Sequence, residues 1–495
     1  MANKKFSEFT LKTDSANVDF VVGYDGTDNV RIAPSNLSSG GASSLNGLSD
    51  VSVDLTNDSA YLINIPSGLS SANGNLIIGE GAGNSIVSAG KNIAIGFGAF
   101  KQSSDNARGS NVAIGYEAFG EATSQVSNSV AIGYRAGYTS TNGSNAVLIG
   151  YRAGEDDQSF GHTGIGYQGL FSSNGSQATG VGYEAGMHAN GNEIVAIGKT
   201  AGRNLDGNYS IAIGSNAAQS NDAVGHISIG YQAGYSNTSA AETTNIGYQA
   251  GYSNTTSGWR TMFGYQAGKN NTGAFNVFMG ARAVSSGTGN GMQNVMIGYE
   301  AGKTLTNGSR NTAVGNQSMT APSASEDNVA IGHEALKASG SKYYNTAVGS
   351  KAGNSVTTGQ NLTMIGYDAD ASSPTATNEI TLGDANIATL RCQVQTISAL
   401  SDSRDKTNIQ PSTYGLDLIS QLNPVTFDWN MRDGAKVGQK DLGFIAQELQ
   451  ELDDENLQLV YDNNPDRLEA SYGRLIPVLV QAIKELKAEV ELLKA

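Results

Sequence analysis

Short apolar segments that end in glycine recur along most of the chain. A representative copy is residues 111–115, NVAIG, and nineteen copies lie between residues 75 and 386 at intervals of 16 to 19 residues. In every copy the residue before the glycine is apolar, and in sixteen copies the residue three positions after it is alanine. A period this short, sustained over so many copies, predicts a solenoid in which each repeat forms one coil that rests on its neighbours.

Within one repeat, the alternation of side chains predicts a very short strand that ends at the glycine, as in residues 112–114 (VAI) and 277–279 (VFM). We expect the residue before the glycine to lie in the core and the alanine to lie where space is tight. The glycine should bend the chain out of the strand, and the Asn, Ser, Thr and Gly residues between blocks predict turns. A coil of 16 to 19 residues encloses little volume, so we expect several chains to associate along the shaft.

The composition agrees with repetitive β structure, because the 495 residues include 63 glycines and only 8 prolines. A formal net charge of −15 argues against a nucleic-acid partner, since phosphate binding needs clustered Lys and Arg. The four histidines (His162, His188, His226 and His333) are spread along the chain, so we expect no metal and no other cofactor. The single cysteine, Cys392, lies in an alternating segment and is predicted to be a buried structural thiol.

Changes in composition divide the chain into five segments. Residues 18–22 and 30–32 alternate on either side of a turn at residues 25–26, which predicts an N-terminal hairpin. After the last repeat, a longer alternating run contains no glycine, and at residue 401 the pattern changes to helical periodicity. The predicted segments are an N-terminal attachment or cap region (1–37), a linker and lead-in (38–74), the solenoid shaft (75–386), a β neck (387–400) and an α+β C-terminal domain (401–495).

The repeats resemble the head repeats of trimeric autotransporter adhesins of the YadA type. The resemblance rests on residues 111–118, NVAIGYEA, and on their equivalents in the other copies. In that family, S/N-V-A-I-G-x-x-A blocks form a left-handed parallel β-roll in a trimer. The resemblance therefore implies a mainly β, trimeric parallel β-solenoid shaft.

Four motifs follow one another along the C-terminal segment, residues 401–495. They are residues 401–409 (SDSRDKTNI), residues 422–429 (LNPVTFDW), residues 443–449 (GFIAQEL), and Tyr472 followed by residues 475–483 (LIPVLVQAI). In these motifs the segment resembles a second family, the peptidase S74 intramolecular chaperones of endosialidases and other phage tail fibres and spikes.

The S74 resemblance implies a catalytic dyad that cuts the chain once the trimer has folded. In this chain the dyad would be Ser401 and Lys406, and the cut would fall between Leu400 and Ser401. A serine hydroxyl is a weak nucleophile, and an amine can serve as its base once burial brings the amine pKa down from about 10.4. Asp402 and Arg404 also match the motif, either as a structural ion pair or as catalytic groups. The alternative interpretation of residues 401–406 is a polar turn that caps a helix.

A heptad pattern runs through the last twenty residues and predicts a short coiled coil. Packing of this helix on its own domain is the alternative. The apolar heptad positions are Ile476, Leu479, Ile483, Leu486, Val490 and Leu493.

Two further patterns have structural and functional interpretations. Tyrosine follows the glycine in ten repeats, and we expect this ladder to stabilise the rungs rather than to bind sugars. The acidic residues 155–157 (EDD) have no partner acid that would make a glycosidase pair.

The predicted function is that of a homotrimeric phage tail fibre, a structural receptor-binding protein of the virion. Its N-terminal region, which weakly resembles attachment regions of such fibres, would dock on a tail or baseplate protein, and the fibre would bind a glycan or protein receptor on the host surface. The chain contains no run of eighteen or more apolar residues, which a membrane-spanning helix needs, and residues 1–6 are not followed by the apolar core of a signal peptide. We therefore expect synthesis in the host cytoplasm. The alternatives are a bacterial trimeric adhesin and a tailspike that degrades glycans.

Overall fold

The computed structural model describes residues 21–24, 29–32, 51–54 and 59–62, and residues 74–494 except 85, 87–89, 102–108, 123–125, 222, 323, 339, 388, 392, 394–400, 433–435, 463 and 465. The chain forms two compact units, Met1–Gln266 and Ala267–Ala495. The fold is mainly β and consists of a parallel β-solenoid followed by small sheets and a C-terminal helix. None of the helices in these described ranges is both long enough and apolar enough to cross a membrane.

The described residues contain nineteen solenoid strands, and each ends at the residue before a repeat glycine, as the sequence predicted. Neighbouring strands within each unit pair in parallel, with equivalent residues opposite one another; Val112, for example, pairs with Val130. Strands of the first unit are Leu76–Ile78, Ile93–Ile95, Val112–Ile114, Val130–Ile132, Val147–Ile149, Thr163–Ile165, Thr179–Val181, Val195–Ile197, Ile211–Ile213, Ile227–Ile229, Thr243–Ile246 and Arg260–Phe263. Strands of the second unit are Val277–Met279, Val295–Ile297, Thr312–Val314, Val329–Ile331, Thr346–Val348, Thr363–Ile365 and Ile380–Leu382.

In the three-residue strands from Leu76–Ile78 to Thr363–Ile365, the middle residue, not the last, lies in the core or beside it. In the strand Val112–Ile114, Ala113 is buried while both of its neighbours are half-buried. The prediction that the residue before the glycine lies in the core is therefore wrong, and Ile197, Ile331 and Ile365 are 38%, 40% and 44% exposed. Side chains alternate between the two faces of a strand, so a three-residue strand turns its middle side chain inward and both ends outward. The alanines three positions after the glycine are buried, as predicted.

The repeat glycines are required both by backbone conformation and by space. From Gly79 to Gly366 their φ angles lie between 124° and 145°, a region that essentially only glycine adopts. A Cβ atom on Gly96 would lie 2.5 Å from the carbonyl oxygen of Gly115 in the next coil. Each glycine therefore allows the next coil to stack directly on it.

Two rows of buried asparagines, at residues 75, 92 and 111 and at residues 276, 294, 311, 328 and 345, satisfy backbone groups where the chain enters the neighbouring strands. Asn294 Oδ1 accepts a hydrogen bond from the Asn311 backbone N–H at 3.0 Å, and Asn311 Oδ1 accepts one from Asn328 at 3.2 Å. The same contact joins Asn75 to Asn92 at 2.8 Å. Such ladders tie successive coils together and satisfy buried polar groups.

The N-terminal strands agree with the predicted hairpin and add a second one. Val21–Tyr24 pairs antiparallel with Asn29–Ile32, and residues 18–20 of the predicted first strand lie outside the described residues. In the segment predicted as a linker and lead-in, Val51–Asp54 pairs antiparallel with Ser59–Leu62, and the latter strand pairs in parallel with Leu76–Ile78. The solenoid sheet therefore begins before the first glycine repeat.

The C-terminal segment is α+β, as predicted. Its helices are α1 (Leu416–Gln421), α2 (Ala446–Gln450) and α3 (Leu475–Lys494), with short 3-10 helices at Ser403–Asp405 and Tyr472–Arg474. Its strands form two antiparallel pairs, Val425–Asn430 with Val437–Gly443 and Val460–Tyr461 with Glu469–Ala470. Its core consists of Leu418, Leu449, Leu457, Leu459, Leu475 and Val478.

The described residues of the predicted β neck (387–400) do not form strands. Residues 387, 389–391 and 393 are not in a strand, and the rest of the segment, including Cys392, lies outside the described residues. A two-stranded pairing of Asn204–Leu205 with Ser220–Asn221 completes the described strands of the first unit.

Candidate functional site

A tight turn at the start of the C-terminal segment brings the predicted dyad together. Residues Ser403–Asp405 form a single 3-10 turn, and Asp402 caps it because its side chain accepts a hydrogen bond from the Arg404 backbone N–H at 2.8 Å. Lys406 follows the turn in extended conformation. The chain therefore folds back, and the lysine side chain points towards Ser401.

Ser401 and Lys406 are in hydrogen-bond contact. Lys406 Nζ lies 2.6 Å from Ser401 Oγ and 3.3 Å from the Ser401 carbonyl oxygen. Both residues are exposed in the single chain. This distance is suitable for transfer of the hydroxyl proton to a neutral amine, which is the contact that a Ser-Lys nucleophile requires.

Asp402 and Arg404 form an ion pair beside the dyad. Arg404 Nη2 lies 2.6 Å from Asp402 Oδ2, and Arg404 Nε donates to the same carboxylate at 3.0 and 3.1 Å. The hydrogen bond from Arg404 lowers the pKa of Asp402, and the carboxylate raises the pKa of Arg404. The ion pair closes the turn that orients Lys406. This geometry agrees with a structural ion pair, one of the two roles considered for these residues from the sequence. Leu400, the predicted residue on the other side of the cut, lies outside the described residues.

Tyr472, a residue of the fourth motif, supports the fold around the second and third motifs. Its hydroxyl accepts a hydrogen bond from the Phe444 backbone N–H at 3.1 Å, and its ring packs edge-on against Phe444 at 5.5 Å between centroids. The motif residues downstream of the dyad therefore hold the C-terminal segment together.

The tyrosine ladder is a stack of rings. The rings of Phe97, Tyr116, Tyr134, Tyr151, Tyr167 and Tyr183 follow one another with centroids 4.9 to 5.3 Å apart and planes inclined by 6° to 13°. Stacking places ring faces against ring faces, so the faces that a sugar would cover are already occupied. This geometry agrees with the expected role of the ladder in stabilising the rungs.

Of the acidic residues 155–157, Glu155 and Asp157 form ion pairs, and Asp156 accepts a hydrogen bond from the Thr139 hydroxyl at 3.0 Å. Glu155 contacts Arg152, and buried Asp157 lies 2.8 Å from His162 Nδ1. Burial acts to lower the pKa of His162, but the hydrogen bond and charge of Asp157 outweigh it and raise the pKa above its usual value. No group of three or more His, Cys, Asp or Glu residues in the described part of the chain is arranged to hold a metal ion.

The sequence analysis did not identify one group of exposed residues. Four aromatic residues each lie five positions before a repeat glycine; Tyr209, Trp259, Phe275 and Tyr344 are 61%, 56%, 52% and 62% exposed. A signal was present, because other repeats place Lys91, Ser110 or Asn128 at this position, and aromatic residues there depart from the pattern.

Comparison with known proteins identifies one segment of the chain. Residues 401–458 match the family model Peptidase_S74, described as chaperone of endosialidase. The match begins at Ser401 and includes Lys406. Neither the curated proteins nor the solved structures contain a match to the chain.

Proposed function

We propose that the chain is a homotrimeric phage tail fibre, a structural protein that attaches the virion to the host surface. Its C-terminal chaperone would align three chains and then cut itself off between Leu400 and Ser401. The N-terminal region would dock on a tail or baseplate protein, and the host receptor would be a glycan or a protein. We expect synthesis in the host cytoplasm, followed by assembly into the virion.

The observation that carries this proposal is the start of the chaperone match at Ser401. The match follows a β-solenoid in the same chain, and its first residue is 2.6 Å from Lys406 Nζ. A shaft of nearly identical repeats can pair out of register, so a chaperone that aligns the chains at one end answers a problem that the repeats create.

The proposed cleavage uses the two dyad residues and water. The Ser401 hydroxyl proton passes to Lys406 Nζ while Oγ attacks the Leu400 carbonyl carbon. The peptide C–N bond then breaks, the Ser401 amine takes the proton, and the Leu400 acyl group is held as an ester on Oγ. Attack by water releases the Leu400 carboxylate and restores the hydroxyl.

Exposed apolar surfaces support association of several copies. In the single chain, Ile380 and Leu382 of the last solenoid strand are 76% and 51% exposed. On α3, the predicted heptad positions Ile476 and Ile483 are 63% and 66% exposed. Apolar side chains repeated along a strand face and a helix face mark interaction surfaces, and other copies of this chain would cover both in a trimer with a C-terminal coiled coil.

The test is the intact mass and the native oligomeric state of the full-length product. The wild type and the control Ser403→Ala, which alters a serine of the same turn, should yield a trimer of residues 1–400 and free 401–495. Ser401→Ala and Lys406→Ala should remain whole. An uncut wild-type trimer would remove the cleavage step and leave a permanent chaperone, whereas a monomeric wild type would overturn the fibre.

A further inference from the structure

One corner of the coil carries aromatic side chains where most coils carry polar ones. The residue five positions before the glycine has left-handed backbone throughout, with φ of 62° at Lys91 and 55° at Asn128. Tyr209 and Trp259 adopt the same conformation, with φ of 56° and 52°. Bulky residues rarely adopt it, because it is energetically unfavourable for them. Both side chains are more than half exposed, so neither belongs to the buried core.

Tyr209 and Trp259 lie in one row on the surface of the first unit. The backbone N–H groups of Gly225, Glu242 and Trp259 each donate to a carbonyl of the preceding coil, at 2.9, 3.2 and 3.1 Å. These bonds place Tyr209, Gly225, Glu242 and Trp259 at the same corner of four successive coils. Three rungs of ~4.8 Å separate the two aromatic residues by roughly 14 Å along the row.

Gly225 leaves a gap between the two aromatic residues. A Cβ atom there would have a single neighbour within 4 Å, the Glu242 Cγ atom at 4.0 Å. Glycine is not required by the backbone, because Tyr209 and Glu242 hold the same left-handed conformation on either side of it. Val224, 48% exposed, lies beside the gap. The row is therefore an open notch, with an aromatic side chain at each end and a carboxylate within it.

We propose that this notch, defined by Tyr209, Val224, Gly225, Glu242 and Trp259, binds a neutral oligosaccharide. The aromatic rings can cover the C–H faces of sugar rings, and the Glu242 carboxylate can accept hydrogen bonds from hydroxyl groups. This inference rests on the proposed function, since it names the class of host receptor.

Size and charge exclude the other ligands that aromatic residues attract. A quaternary ammonium group must lie within about 6 Å of each ring that binds it. A single ammonium group cannot lie that close to both rings, because the rings are roughly 14 Å apart, whereas an oligosaccharide lying along the row can reach both. An acidic saccharide is disfavoured by Glu242 and by the formal net charge of −15.

The test measures binding of defined oligosaccharides to the full-length chain. The probes are cellohexaose, maltohexaose and chitohexaose, with polysialic acid as the acidic comparison. The chain contains two tryptophans, Trp259 and Trp429, so in a Trp429→Phe background selective excitation of tryptophan reports on Trp259 alone. Titration of a bound neutral hexaose should change this fluorescence with saturation.

Two glycine variants provide the matched comparison. Gly225→Gln fills the gap with a side chain that the left-handed corner tolerates at Gln177, where φ is 59°. Gly161→Gln makes the same change at the same position of another coil, where Asn145 and Gln177 occupy the positions of Tyr209 and Glu242 and Phe160 stands in the place of Val224. By isothermal titration calorimetry, which needs no tryptophan reporter, we expect binding of the neutral hexaose to weaken at least tenfold in Gly225→Gln and in Trp259→Gln, and to remain unchanged in Gly161→Gln.

The inference is overturned if no neutral hexaose binds, if only polysialic acid binds, or if Gly225→Gln binds as the wild type does. It is also overturned if Trp259→Gln alters only the oligomeric state, because the aromatic residue would then belong to an interface between copies. Trimer formation with self-cleavage but no sugar binding removes this inference and leaves the proposed fibre. If the notch binds sugar in a chain that remains monomeric and uncut, the proposed fibre is removed and this inference remains.

Discussion

Replacing Gly96 with alanine should disrupt the contact between two coils. The added Cβ atom would lie 2.5 Å from the Gly115 carbonyl oxygen and 2.8 Å from its carbonyl carbon. Both are backbone atoms, so no side chain can rotate away. Alanine must also adopt φ near 125°, which L residues avoid.

The cost can be worked out from these contacts. The backbone strain amounts to about 1–3 kcal/mol. Relief of the clash to an ordinary contact of 3.4 Å requires a shift of 0.9 Å (3.4 minus 2.5), which stretches the hydrogen bonds from Gly115 N–H to Ile95 O and from Glu117 N–H to Phe97 O, both 2.8 Å. Loss of each bond costs about 1 kcal/mol. We therefore expect Gly96→Ala to lower the local unfolding free energy by about 3–5 kcal/mol.

Hydrogen exchange is the suitable assay, because coils of a repeat protein can open locally. Amides around residues 93–117 should exchange faster in Gly96→Ala, while distant coils remain protected. The control is Gly98→Gln, two residues away in the same repeat. There φ is 63°, a conformation that Gln249 adopts at the equivalent position, and an added Cβ atom meets only flexible side chains, the nearest being Glu117 Cγ at 3.3 Å. Equal protection in the two variants would refute the reasoning.

Four further predictions concern the interior and the proposed assembly. Burial lowers the pKa of His226 to about 4, so the unfolded chain binds the proton first as the pH falls. The free energy of unfolding should therefore drop by about 3 kcal/mol between pH 6.5 and 4, and denaturation of His226→Asn should not show this pH dependence. Asp157 raises the pKa of His162, so the stabilisation by protonated His162 is present below pH ~6.5 and disappears as the pH rises through the pKa of the folded state. The variant His162→Asn should therefore lack this loss of stability on the alkaline side. A pH profile of stability identical to that of the wild type would contradict the His162–Asp157 ion pair. Asn311→Ala leaves the buried Asn328 N–H without its acceptor and should cost about 1–3 kcal/mol in denaturant melts, whereas Asn311→Ser, which keeps an oxygen as Ser129 does, should cost less. Ile483→Asp changes a residue that is 66% exposed in the single chain, so helicity by circular dichroism should persist while the yield of trimer falls; an unchanged yield would argue against the coiled coil.

The repeat pattern was enough to locate the strands but not to orient their side chains. The glycines mark the strand ends because no other residue fits both the backbone angle and the contact with the next coil, so nineteen strands could be predicted from spacing. A three-residue strand, however, has apolar residues at both parities, and the sequence does not show which face is inside. Ala113 and Ile114 are equally plausible core residues by composition, and only the structure shows that the smaller one is buried.

The left-handed backbone conformation at the corners of the coils could not be predicted from the sequence either, because polar and aromatic residues occupy these positions. Glycine signals positive φ, but Glu117, Arg135 and Trp259 do not, and the stacking of neighbouring coils imposes the conformation on them. The dyad was predicted from the resemblance to the S74 family, and the structure supplies the local reason for the contact, because the capped 3-10 turn between Ser401 and Lys406 folds the chain back on itself. Both dyad residues are exposed in the single chain, so the burial that would activate Lys406 is not part of this contact.

The exposure of the dyad and the exposure of the apolar surfaces are connected. Ser401 and Lys406 touch in water, and a hydrogen bond in water does not by itself make a hydroxyl nucleophilic. Activation requires removal of solvent, which favours the neutral amine. The same C-terminal segment carries the exposed heptad face of α3, so the association proposed to cover that face is also the step that could exclude water from the dyad. On this model a chain that has not assembled keeps its chaperone, and cleavage reports that assembly is complete.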